Sequence, residues 1–301
     1  MTRGGGATDP GVAVVIPTHG RPHGLRRCLE SLARQDVPPA EVVVVDDGGM
    51  PPVDRAALPD LPGLVVVAQP HAGAGAARMT GVARTRAPIL AFLDDDCSVP
   101  PDYVAAVARV FREHPATQVA QVRIVHPEPD NPYGRLWTFI LDGLHRVNAR
   151  PGPDGRLLSG TLGGVMIARR DVFTRVAYDP RLHVALEDAD LRWQLHLAGI
   201  AVHWAPAVRV RHHVPRTLAG HLRQFVRYGR GAVHLARKWG ATPPPFRACP
   251  LTGPRDLLDL VRREGIAGGV GLYGVLWMRR LALLAGSLWE RVIPRRGRPR
   301  W

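Results

Sequence analysis

Two hydrophobic periods alternate along the first half of the chain. Short apolar runs at residues 12–16, 41–45, 64–67, 89–93 and 118–125 read as strands buried on both faces. Between them, residues 21–34, 72–84 and 102–113 carry apolar side chains at helical spacing, as with Leu25, Leu29 and Leu32. Strands separated by helices predict an α/β fold with a largely parallel sheet covered on both sides. Ligands of such sheets bind beyond the carboxyl ends of the strands.

The second half is less regular. Residues 131–150 predict a helix, 151–159 a loop, and 161–169 a short strand that begins with Gly163 and Gly164. A helix follows over 186–197, then two short strands around Pro206 within 201–213, then a long basic helix over 217–238. Beyond Pro243, Pro244 and Pro245 come an apolar stretch and an Arg-rich tail. The pattern divides the chain into a disordered lead (1–10), a catalytic domain (11–215) and a basic, apolar helical extension (216–301).

Candidate chemistry gathers at strand ends. Asp94, Asp95 and Asp96 follow the fourth strand directly. Three carboxylates in one turn repel one another unless a cation sits among them, and hard oxygen ligands suit magnesium or manganese. A solvated acidic turn is the plainer alternative. Asp46 and Asp47 close the second strand, so one crevice can hold both clusters. Glu187, Asp188 and Asp190 open a helix, where acids offset the helix dipole. Asp188 and Asp190 are two positions apart and point to different faces, so one can be a base while the other serves structure. Of the neighbours His212 and His213 on a strand, one faces inward. His71 to Arg78 is glycine-rich and invites a dinucleotide reading, but Arg78 occupies the third glycine position; at the start of a helix it suits a phosphate better.

Composition adjusts this picture only slightly. The 301 residues carry a formal charge of +14, which would fit a nucleic-acid binder. Lys238 is the only lysine, however, so the excess is almost all Arg and follows the Ala/Arg/Gly/Pro bias of the whole chain. Cys28, Cys97 and Cys249 show no metal spacing and cannot pair evenly, which favours a reducing, cytoplasmic compartment. No signal-peptide pattern opens the sequence.

The motifs, taken in order, resemble the family 2 inverting glycosyltransferases of GT-A fold. They are Val14 to Arg21, Val43 to Gly48, Ala77 to Gly81, Phe92 to Asp96, the pair Gly163 and Gly164, and Glu187 to Leu191. The likeness runs from about residue 11 to about 215. It implies a nucleotide-diphospho-sugar transferase fold with a carboxyl-terminal helical extension, and a metal-dependent transfer of sugar to a hydroxyl acceptor. Pro17, Thr18, Arg21, Asp46 and Asp95 would line the nucleotide-sugar pocket, and Asp47 would accept from the base. Arg78 would approach the diphosphate, and Asp94 would lie near the ribose. Asp94, Asp96 and His212 would hold Mn2+ or Mg2+. Asp188 would be the catalytic base, with Gly163, Gly164 and Glu187 on the acceptor side. Met79 stands where the family often has Asn, and Gly49 where it has Ser. The donor could be a UDP-, GDP- or dTDP-sugar.

The apolar stretch near the end raises the question of a membrane. Arg279 and Arg280 interrupt it, at about 2.5–3.5 kcal/mol each in mid-span against about 0.3–0.6 returned per Leu, Ile or Val. A simple span loses; an interfacial or re-entrant helix pair on anionic lipid fits better, the plainer alternative being a buried accessory helix that covers the sheet, and Phe225 and Tyr228 of the basic helix suit the same membrane surface or an anionic acceptor. The expectation is therefore an enzyme peripheral to the inner face of the cell membrane, with a lipid-linked or glycan-like acceptor and no nucleic-acid partner. The alternatives are a soluble transferase acting on a small natural product, or a non-catalytic basic membrane- or nucleic-acid-binding protein.

Overall fold

The computed structural model describes residues 11–148, 150–152, 157–159, 162–240 and 253–292. The lead 1–10, the prolines at 243–245 and the Arg-rich tail beyond 292 lie outside the described residues.

Strands β1 (Val12–Thr18), β2 (Glu41–Asp46), β3 (Leu64–Ala68) and β4 (Ile89–Phe92) pair in parallel in the order β3-β2-β1-β4. Every residue of β1 is buried because side chains alternate between two covered faces. Val12, Val14 and Ile16 pack on α1 (Pro22–Ala33) and α3 (Tyr103–Glu113). Ala13 and Val15 face α2 (Ala74–Arg84) and α5 (Glu187–Leu197). The first strand runs two residues further than the sequence predicts: Pro17 and Thr18 still pair with Val45 and Asp46. A proline is tolerated at that strand end.

The rest of the sheet is mixed. Beyond β4 it continues through β9 (Met166–Arg169), β6 (Val119–Val125) and β10 (Val202–His212) to the short strands β8 (Leu157–Leu158) and β7 (Arg150–Pro151). β5 (Cys97–Ser98) also pairs with β10. β6 and β10 are parallel, whereas β9 is antiparallel to both neighbours. β9 runs back from the carboxyl end of the sheet, with Met166 opposite Phe92 and Arg169 opposite Ile89. Two local expectations are corrected here. The predicted loop 151–159 contributes to the β7–β8 pair, and the two strands predicted around Pro206 form one strand. Its register against β6 slips between Ala205 and Arg209, because a proline cannot donate to the ladder and the strand bulges.

Three helices build the carboxyl side: α4 (Pro132–Asn148), α6 (Leu218–Trp239) and α7 (Pro254–Val292), the last kinked at Gly265, whose φ is 74°. Leu136, Phe139 and Ile140 of α4 pack against Leu260, Leu272, Val275 and Leu276 of α7. α7 also lies antiparallel on α6 at two glycines. A Cβ on Gly229 would meet the Leu283 carbonyl oxygen at 2.0 Å, and one on Gly286 would meet that of Val226 at 2.0 Å. The buried Arg279 sits over Phe225 at 3.8 Å and over Trp137 at 4.9 Å from the ring centroids. The helices therefore pack on the domain through their inner sides, and no described helix is long and apolar enough to cross a membrane. Phe225 is buried and does not face outward, contrary to its expected place on a membrane surface.

Candidate active site

The carboxyl ends of β1, β2 and β4 meet, as the parallel register requires, and bring Thr18, Asp46, Asp47 and Asp94–Asp96 together. The three consecutive aspartates have three different surroundings. Asp95 turns inward, where Thr18 Oγ1 donates to it at 2.8 Å and Arg21 Nη1 at 3.0 Å. Burial pushes its carboxyl up to about 6, with Arg21 opposing the shift. Asp96 faces Arg21 at 2.8 Å and His212 Nε2 at 3.2 Å. Burial alone would raise Asp96, but His212 and Arg21 outweigh it and hold the carboxyl below its usual range. Asp94 is engaged by Arg78 Nη2 at 2.6 Å.

Asp96 and His212 are thus neighbours, offering the carboxylate oxygen and imidazole nitrogen that suit manganese or magnesium, and Asp94 stands on the same turn. These donors fit a divalent ion, with Asp94 directed at Arg78 in this structure. A second trio, unforeseen in the sequence, could also hold a cation: ligand atoms of His19, Asp47 and His71 lie within 4.8 Å of one another. Both histidines sit in the motifs quoted above, but only the fold shows their rings 4.4 Å apart.

Several expected pocket residues also make internal bonds. Asp46 accepts from the backbone N–H groups of Gly49 and Val53, both at 2.8 Å, and so shapes the loop after β2. Asp47 accepts from Gln69, Ala72 and Gly73 at 2.7–2.8 Å, pinning the segment that starts α2. Arg78 is almost fully buried and joins Asp94 to Glu187, which its Nη1 meets at 2.8 Å. That guanidinium explains Gly164, where a Cβ would fall 2.3 Å from Arg78 Nη2. Gly163 donates to Gln121 at 2.7 Å. Arg21, with about half its side chain exposed, is the better placed of the two arginines to meet an anion from the crevice.

The acidic helix α5 begins at Leu186, the one described residue other than glycine with positive φ, at 66°. Left-handed backbone costs a branched residue on the order of 1–2 kcal/mol, and here it starts the turn that carries Glu187 and Asp188. Asp188 is half-buried and sits among Glu187, Arg78 and Asp94. Burial, then Glu187, raise its carboxyl to about 7, against the pull of Arg78. Asp190 points the other way, fully buried, and accepts from Lys238 and Trp239 at 2.8 Å each and from Gln194 at 2.7 Å. Tyr228 of α6, expected at a membrane surface or an anionic acceptor, has its hydroxyl raised by burial and by nearby Asp188, while Gln224 donates to it at 2.8 Å. Two open hollows of about 300 and 570 Å³ lie around Arg169 and Asp171, and none of these residues lines them.

A parallel sheet with acidic turns at its carboxyl ends, facing an acidic helix start, is the arrangement of GT-A glycosyltransferases. Residues 13–177 match the model of glycosyl transferase family 2, and the chain belongs to that family. It is 29% identical over 242 residues to the pre-mycofactocin glycosyltransferase of Mycobacterium tuberculosis, covering 77% of this chain and 48% of that protein. The chain thus spans about half the length of that relative. Among solved structures it resembles the mannosyltransferase PcManGT from Pyrobaculum calidifontis in complex with GDP-Man and Mn2+. That match has a TM-score of 0.60 at 19% identity, over 95% of this chain and 88% of the other. GalNAc-T7 with UDP, GalNAc and Mn2+ matches with a TM-score of 0.51 at 18% identity, over 76% and 52%.

Proposed function

We propose that this glycosyltransferase is metal-dependent and inverting, and moves a sugar from a nucleotide-diphosphate donor to a hydroxyl of a lipid-linked or glycan-like acceptor. The observation that carries the reading is Asp188, a carboxylate at the cleft whose proton affinity lies near neutrality. An ordinary aspartate is a weak base at pH 7, whereas one raised to about 7 matches a base to its working pH. Asp188 takes the acceptor hydroxyl's proton while that oxygen bonds to the anomeric carbon. The bond from that carbon to the diphosphate oxygen breaks, and its electron pair leaves with the nucleotide. Attack opposite the leaving group inverts the centre.

Arg21 presents positive charge to the diphosphate, and Pro17 and Thr18 border the nucleotide. Asp94, Asp96 and His212 would hold Mn2+ or Mg2+, which supplies further charge neutralisation to the leaving diphosphate. The metal and nucleotide named with the two GT-A structures support this donor chemistry. The pre-mycofactocin relative's name favours a second reading, a smaller natural-product acceptor. Calorimetric titration with UDP, GDP and dTDP, with and without manganese, tests the donor site. One nucleotide should bind in a metal-dependent way and lose that dependence in Asp96→Ala; no binding under any condition overturns the reading.

A further inference from the structure

The outer side of α7 beyond Gly265 is an apolar stripe with no carboxylate. Val270, Trp277, Leu281, Leu284, Leu288 and Val292 recur at helical spacing, each about half exposed or more. Scattered surface leucines are ordinary; a continuous line of them along one helix is not. The only acid between Ile266 and Val292 is Glu290. It is turned inward, where Arg230 and His234 reach it at 3.0 and 3.1 Å. The side chains beside the stripe are basic: exposed Arg291, and Arg280 lying over the Trp277 ring at 5.3 Å. The next residues in sequence add Arg295, Arg296, Arg298 and Arg300 with no acid.

The inner side cannot leave the domain to form a span. It is held by the glycine crossing on α6, by the Glu290 pairs and by Arg279 between aromatic rings. An apolar stripe flanked by tryptophan and arginine, on a helix fixed to a globular body, has the character of an interfacial helix.

We propose that this face of α7 rests on an anionic lipid surface, its leucines at the acyl boundary and its arginines on the headgroups. A second copy of the chain would have to leave those arginines opposite one another, whereas anionic lipid complements them. This inference does not depend on the assignment of Asp188 or of the metal.

Co-sedimentation of the full chain with vesicles tests it. The protein should pellet with equal parts phosphatidylglycerol and phosphatidylcholine. The triple variant Leu281→Gln, Leu284→Gln, Leu288→Gln should lower the partition coefficient about tenfold or more. Because all three side chains are exposed, it should keep its nucleotide titration, which checks the fold. The pair Arg280→Gln, Arg291→Gln should weaken binding to the anionic vesicles and leave that to pure phosphatidylcholine unchanged. A wild-type chain that stays in the supernatant overturns the proposal. So does a dimer in sedimentation velocity that the triple variant converts to monomer with no change in vesicle binding.

Discussion

The turn after β4 and the turn that opens α5 are both acidic, and in each the carboxylates divide between two tasks. In the first, Asp95 is buried on Thr18 and Arg21 while Asp96 looks toward His212. In the second, Asp190 is buried on Lys238, Trp239 and Gln194 while Asp188 looks toward the cleft. The buried member of each pair fastens distant segments together, and its neighbour is the one to which the proposed chemistry falls. The two turns differ in how charge is answered. Asp96 has His212 and Arg21 close by and is held ionised, whereas Asp188, desolvated by burial and then opposed by the charge of Glu187, is raised to about 7. The first arrangement suits a cation ligand and the second a base.

Substitution should separate these tasks. Asp188→Asn should lower transfer by about 10²–10⁴-fold, with nucleotide affinity and melting temperature unchanged. A fully active variant removes Asp188 from the chemistry. Asp190→Asn should do the reverse, costing about 3 kcal/mol in denaturant unfolding because Lys238 and Trp239 lose a buried partner. Metal-dependent nucleotide affinity should survive in the fraction that stays folded. Thr18→Val should cost about 1–2 kcal/mol through the lost hydrogen bond to buried Asp95, again read from denaturant unfolding.

The smallest effect is on pH. A base raised to about 7 is protonated and idle below that value, so kcat should climb as pH rises through it. Glu187→Gln removes a neighbouring negative charge that raises Asp188, so the acid limb should move to lower pH. A limb that stays put means the charge of Glu187 does not act on the base.

The parallel half of the sheet was legible because each strand there is an apolar run that ends in its own loop. Linear order therefore gave the positions of Asp46, Asp47 and Asp94–Asp96 at one edge. Which of these acids face inward was not legible, since adjacent aspartates look alike in sequence; only the partners Val53, Ala72 and Thr18 distinguish them. Arg78 reads as a phosphate ligand in sequence, and its pairing with Glu187, more than a hundred positions away, is visible only in the fold. The single strand β10 was hidden by Pro206, which marks a bulge as readily as a break.

The kink at Gly265 sets the geometry of the outermost helix. From Ile266 to Val292 it is a rod about 40 Å long at ~1.5 Å per residue. A body resting on a plane along such a line cannot tip end over end, and can only roll about the rod. On a lipid surface, Trp277 and Trp289, at different points around its circumference, would oppose that roll. The direction in which the cleft opens would then follow from one helix alone, and the search for an acceptor would be confined to two dimensions.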